Sequence, residues 1–225
     1  MEEPKVGIAE GTARLNEPPT TPVSRKLVVI RCKASKRVAA APVFDERDLR
    51  RAKTGMETYS VSSKNDLIAA LNSLKDGDIL VLNSHSNQNL FVYKDKDRGE
   101  VKVRWEDVWK HVGRKTPPRL AAVILAGCAV PKDTLSRKSL RAIRKALHTS
   151  IFVAPYATAK YEVDPIGVKD NITAKEIGLE IARFYAKQID KGELTERLFG
   201  RQERFGVVYG CNGYNHPLGC ACGFG

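Results

Sequence analysis

Residues 78–88 read Asp-Ile-Leu-Val-Leu-Asn-Ser-His-Ser-Asn-Gln, DILVLNSHSNQ. Four apolar residues in a row, closed by a cluster of Asn, Ser and Gln, are the pattern of a strand buried on both faces and ended by a loop. His85 stands at the tip of that run. A second run, RLAAVILAGC (119–128), is more strongly apolar and ends in Cys128. Continuous apolar runs of this kind, alternating with helices, predict a mostly parallel sheet covered on both faces.

The flanking sequence extends the pattern. KLVVIRCKAS (26–35) predicts a first buried strand, FDERDLRRA (44–52) a short helix and METYSVS (56–62) a second strand. Ser63-Lys64-Asn65-Asp66 has the form of a capping box and opens LIAALNSL, whose apolar residues recur at helical spacing. LFVYKD and EVKVRW flank a charged turn containing Gly99, which predicts a hairpin. WEDVWKHV (105–112) predicts a short amphipathic helix. Residues 133–147 predict a basic helix, SIFVAPYA (150–157) a strand, and FGVVYG (205–210) a last strand. Thr173-Ala174-Lys175-Glu176 supplies another capping box, for a helix running to about Asp190. The fold class expected is α/β: a three-layer sandwich around a mostly parallel sheet. Residues 1–25, with NEPPTTP near their end, are expected to form a flexible N-terminal arm. Residues 26–210 form the main domain, and 211–225 a short Cys/His-rich appendage.

Composition narrows the function classes. The 225 residues, 42% hydrophobic and 28% charged, suffice for one sizeable core. No stretch approaches the roughly 18–20 uninterrupted apolar residues of a membrane helix, and MEEPKVGIAEG lacks a secretion-signal pattern. The expectation is a cytoplasmic protein with no membrane partner. The five cysteines are odd in number, with Cys32 and Cys128 inside apolar runs and three in the last fifteen residues, which argues against a disulfide framework. The formal net charge of +12 asks for a partner. Lys132, Arg137, Lys138, Arg141, Arg144 and Lys145 cluster on the basic helix. Their ordinary role is a solvated face, and no aromatic residues interleave with them to stack bases, so nucleic acid is the less favoured partner.

In a parallel sheet the chemistry collects at the carboxyl ends of the strands. If the strands ending in His85 and Cys128 are parallel neighbours, their ends lie roughly 5 Å apart. A thiol is mostly protonated near neutrality, and a nearby imidazole stabilises the reactive thiolate and later protonates a leaving amine. Each residue alone has an ordinary reading: Cys128 as a small buried hydrophobe, His85 as a hydrogen-bonded loop residue. Cys32, mid-strand, reads as packing, and His111 and His148 as structural or exposed side chains.

The pair LNSHS and ILAGC, with a hairpin and the segment VRWEDVWKHV between them, resembles the caspase-like cysteine peptidases, particularly the prokaryotic caspase-like and CHAT-type proteins. The order of elements resembles their fold from about residue 26 to 210. The resemblance implies a Cys–His dyad with His85 as general acid/base and Cys128 as nucleophile. The activity implied is that of a hydrolase, an endopeptidase cleaving a protein substrate through a thioester acyl-enzyme. Backbone N–H groups at Ser86 and Cys128 would hold the oxyanion, no cofactor would enter catalysis, and a regulatory protein or cleavage of an autoinhibitory segment would switch the enzyme. Many relatives have Gly directly after the histidine, where this chain has Ser86. Ala126 stands two before the cysteine, where Arg/Lys-directed relatives commonly place Asp. Asp133 and Asp164 are substrate-pocket candidates and equally ordinary loop carboxylates. The alternatives are a catalytically inactive caspase-like module that binds proteins, or a nucleic-acid-associated protein using the basic helix and the tail.

The tail, CNGYNHPLGCACGFG (211–225), is a separate signal. Cys211, His216, Cys220 and Cys222 give the spacing C-x4-H-x3-C-x-C. A segment so poor in apolar residues cannot hold itself by packing, and a tetrahedral structural zinc would supply that stability. The rival reading is an unliganded tail with reactive thiols or a processing site.

Overall fold

The computed structural model describes residues 25–32, 45–86, 89–127, 130–131, 137–157, 166–199 and 205–209. Residues 1–24 of the expected arm, the whole Cys/His-rich tail, Cys128, Asp133 and Asp164 lie outside the described residues.

The chain runs β1 (Lys26–Cys32), α1 (Glu46–Arg51), β2 (Gly55–Val61), α2 (Lys64–Ser73), β3 (Ile79–Ser86), β4 (Leu90–Asp95) and β5 (Gly99–Arg104). A 3-10 turn (Trp105–Asp107) leads into α3 (Val108–His111). There follow β6 (Leu120–Gly127), β7 (Val130–Pro131), α4 (Arg137–Ala146), β8 (Thr149–Ala157), α5 (Ile166–Tyr185), α6 (Lys191–Phe199) and β9 (Phe205–Tyr209). The sheet has the order β2-β1-β3-β6-β8-β7, all pairs parallel, with β9 antiparallel against β8. The β4–β5 hairpin hangs from the end of β3.

Strand alternation divides the core into two apolar layers. Val28, Ile30, Cys32, Leu80, Leu82, Val123, Leu125 and Phe152 face one side, where α2, α3, the hairpin and α4 cover them through Leu67, Leu71, Phe91, Tyr93, Trp105, Val108 and Ile143. Leu27, Val29, Ile79, Val81, Ala122, Ile124, Ile151 and Val153 face the other, against Ala52, Ile177, Ile181, Ala182 and Leu194. Helices on both faces make the central strands apolar at every position, so the runs read continuous instead of alternating. This is an α/β fold whose mostly parallel sheet lies between two helical layers.

Local chemistry sets the boundaries. Ser63 caps α2 by accepting the Asp66 N–H at 3.2 Å. The Asp66 carboxylate accepts from the Ser62 N–H at 2.9 Å and the Ser62 hydroxyl at 2.8 Å, so the return half of the expected box lands on Ser62. Asp95, buried at the hairpin corner, accepts backbone N–H groups from Lys64 (3.0 Å), Asp97 (2.9 Å) and Arg98 (3.2 Å), tying the start of α2 to the β4–β5 turn. His148 takes the left-handed conformation (φ 57°) after α4, and its carbonyl accepts the Leu120 N–H at 3.0 Å, pinning the start of β6.

Three sequence expectations need correction. The Asn-Ser-His-Ser cluster expected to end the third strand in a loop is part of it: β3 continues through His85 and Ser86, which pair with β4. Thr173 is not a helix cap, since α5 already starts at Ile166. The capping pattern there falls inside a helix whose first turns, IGVKDNI, are rich in poor helix formers. The expected helix to Asp190 is also followed by a further one, α6, where Asp190 accepts the Glu193 N–H at 2.8 Å. An Asp-x-x-Glu capping signal was present at that point and went unread.

Candidate active site

The parallel ladder between β3 and β6 pairs Ile79 with Ala122, Val81 with Ile124, Asn83 with Ala126 and Ser84 with Gly127. The two apolar runs are therefore immediate neighbours in the sheet, in register up to the residues before His85 and Cys128. Parallel strands lie about 4.8 Å apart. Cys128, the next residue after Gly127, is outside the described residues, as are Asp133, Asp164 and the four tail ligands Cys211, His216, Cys220 and Cys222. Of the expected site, the structure places His85 and Ser86.

Among the described residues β3 pairs with β1 as far as Asn83 and with β6 as far as Ser84, and at His85 and Ser86 it pairs antiparallel with Val92 and Phe91 of β4. Ser86 lies across from Phe91, whose ring is buried at 1% exposure and sits 5.2 Å from the Trp105 ring. His85 therefore belongs to the opposite face, the one carrying Ile79 and Val81. His85 and Ser86 are both half-buried at the carboxyl end of β3. The non-glycine residues with left-handed backbone, among the described residues, are Lys53, His148 and Lys187. Ser86 is not one of them. Its extended backbone demands no glycine, which removes the steric objection to serine at the position where many relatives have Gly.

On the face of His85, one step below it, the register sets Arg31 of β1 beside Asn83, and Asn83 beside Ala126. Asn83 is buried and Arg31 half-buried. This row was missed in the sequence, although the signal was present as one arginine interrupting the apolar run KLVVIRC. On the opposite face Ser84 is buried at 2% exposure, and its hydroxyl has no hydrogen-bond partner among the described residues.

The other candidates separate by environment. Cys32 is 1% exposed, and burial pushes its thiol up to about 12. Such a thiol stays protonated and is no nucleophile. His111 sits 3.5 Å from the Tyr93 hydroxyl through Nε2, with the rings edge to face. Burial, and after it the Lys64 cation, hold His111 below the usual histidine range, while burial raises the Tyr93 hydroxyl. Both belong to the packing under the hairpin. On α4, Arg141 and Lys145 are exposed, while Arg144 donates to the Thr149 carbonyl at 3.0 Å. One of the basic side chains is thus committed to holding the helix on β8.

Among the described residues, no three His, Cys, Asp or Glu side chains converge as metal ligands, and no helix is long and apolar enough to cross a membrane. No protein-family model matches this sequence, and no curated protein matches it.

Proposed function

We propose that the chain is a cysteine endopeptidase with His85 and Cys128 as its dyad. The observation that carries this reading is the β3–β6 ladder: the two strands are adjacent, parallel and in register to Ser84 and Gly127, the residues immediately preceding His85 and Cys128. Continuing that register by one residue supports a thiol and an imidazole side by side at the carboxyl end of the sheet, where an α/β scaffold presents its chemistry.

In this reading His85 takes the Cys128 proton, and the thiolate attacks the scissile carbonyl carbon. The C–S bond forms as the carbonyl electrons move onto oxygen, where N–H groups of Ser86 and Cys128 receive them. Collapse breaks the C–N bond, and the imidazolium delivers its proton to the leaving amine. Water, deprotonated by His85, then attacks the thioester, releasing the acid and restoring the thiol. No cofactor enters. Attachment of β3 to the β4–β5 hairpin supports this role, because a general base must be held within hydrogen-bond reach of its partner.

The test is labelling of the folded full chain with a peptidyl fluoromethyl ketone, read by intact mass and peptide mapping. Expected is one adduct on Cys128, lost in Cys128→Ala and strongly slowed in His85→Ala, together with peptide cleavage that both variants abolish. No adduct on Cys128, with both variants indistinguishable from the parent on a peptide library, would sink the peptidase and leave a protein-binding module.

A further inference from the structure

We infer that Lys102, on the outer face of the β4–β5 hairpin, selects the substrate on the leaving side of the cut and favours an acidic side chain about three residues beyond the scissile bond. The inference rests on the His85–Cys128 reading and adds a substrate class to that same site.

His85 pairs with Val92 of β4, and Val92 pairs with Lys102 of β5. Directly opposed residues of antiparallel strands share a face, so His85, Val92 and Lys102 form one row. Its two steps set the Lys102 Cα about 10 Å from that of His85. The hairpin lies on the β2 side of β3, where the Lys96 N–H donates to the Ser62 carbonyl at 3.0 Å and the Lys64 N–H donates to Asp95 at 3.0 Å. β6, the strand that precedes Cys128 in the chain, lies on the other side of β3. His85 thus stands between the strand of the nucleophile and the hairpin.

That order gives a bound peptide its direction. The thiolate attacks the carbonyl carbon and the imidazolium protonates the leaving nitrogen, so the nitrogen lies on the imidazole side of the carbon. The chain beyond the cut therefore departs over the hairpin, and an extended chain covers 10 Å in about three residues. There it meets Lys102, which is exposed and, among the described residues, engaged in no ion pair or hydrogen bond. The other charges of this face are balanced. Arg104 is paired with Glu106 at 3.3 Å, and Lys94 lies across from Glu100. A substrate carboxylate would give the Lys102 ammonium the charge-assisted partner it lacks. An exposed pair of this kind is weak, so it acts through discrimination between substrates and not through tight binding.

The experiment measures kcat/KM at low ionic strength on internally quenched peptides carrying Asp, Gln or Lys at each of the residues that follow the cut. It is run on the full chain, Lys102→Gln, Lys102→Glu and Lys115→Glu. Lys115, also exposed, precedes β6 at the amino end of the sheet and controls for net charge. Labelling of Cys128 by iodoacetamide, with and without His85→Ala, reports the dyad separately, and far-UV circular dichroism establishes folding. The parent is expected to prefer Asp to Gln near the third residue by roughly two- to fivefold, the scale of an exposed ion pair, and less so at high salt. Lys102→Gln should remove that preference, Lys102→Glu should turn it to Lys, and Lys115→Glu should keep it. The inference is overturned by a parent with no acidic preference beyond the cut, or by one that survives in folded Lys102→Gln and Lys102→Glu. An equal shift in Lys115→Glu would overturn it as well, assigning the effect to net charge. If His85-dependent labelling of Cys128 persists in these cases, the role of Lys102 falls alone. A chain that neither labels at Cys128 nor cleaves any peptide removes the dyad and the hairpin contact together.

Discussion

Replacing Phe91 by Ala tests whether the hairpin anchors the end of β3. Phe91 is 1% exposed, and its ring lies 5.2 Å from Trp105, itself 3% exposed, at an interplanar angle of 34°. Truncating a fully buried phenylalanine costs about 3–5 kcal/mol from lost transfer energy and the cavity left behind. Of that, about 0.5–1.5 kcal/mol belongs to the ring pair and is isolated by a double-mutant cycle with Trp105→Leu. In urea, at about 3 kcal/mol per molar for a chain of this size, the midpoint should fall by about 1 M or more. Because Phe91 is the cross-strand neighbour of Ser86, the rate of peptide-electrophile labelling at Cys128 should fall as well, under conditions where the variant is still folded. A loss below about 1 kcal/mol, with no coupling to Trp105, would refute the claim that this ring is core and that the hairpin secures the strand end.

Three further outcomes are expected. Cys32, its thiol pushed up to about 12 by burial, should resist a thiol-specific chromogenic disulfide in the native state at pH 8 and react on unfolding. Its raised value is also a stability statement: the contribution is intact below the unfolded thiol value of about 8.5 and is lost as pH rises towards the folded one, so Cys32→Ala should have a shallower alkaline limb. Rapid native labelling of Cys32 would contradict its burial. The carboxyl of Asp95 is held below its usual range by the Asp97 N–H, then by those of Lys64 and Arg98. That contribution is present above the unfolded carboxyl value of about 3.9 and lost as pH falls through the lower folded one, so acid unfolding of Asp95→Asn should depend less steeply on pH; an unchanged slope would count against the role of Asp95. Metal analysis of the purified full chain should find about one equivalent of zinc, released on changing Cys220 and Cys222 to Ser. Zinc-free protein would remove the structural zinc expected in the tail and leave the unliganded reading.

Much of the architecture could be read from the chain because its helical layers make the inner strands uniformly apolar. KLVVIRC, DILVLN and RLAAVILAG stand out for that reason alone. What local pattern cannot express is partnership. That β3 lies between β1 and β6, and that Ser84 is level with Gly127, depends on packing between segments more than forty residues apart. The same limit hid the row of Arg31 and Asn83, since neither residue has meaning until the two ladders are aligned. Helix starts failed for a different reason. A capping pattern is one of several local hydrogen-bond options, and at Thr173 the interior of a longer helix, secured by Ile177, Ile181 and Ala182 against the sheet, overrode it. Ser86 shows the opposite case. Its departure from glycine raised a question of backbone geometry, and the pairing with Phe91 answers it.

The exchange of partners along β3 has a consequence for how the site opens. Residues 79–84 pair with β1 and β6 in the centre of the sheet, and His85 and Ser86 pair with the hairpin. A sub-global fluctuation that frees residues 90–104 is therefore expected to release the hairpin pairing of His85 and Ser86 while the central sheet stays closed. Native-state hydrogen exchange would register this as a step along a single strand, with protection at Val81 and Leu82 near the global limit and protection at His85 and Ser86 set by the hairpin.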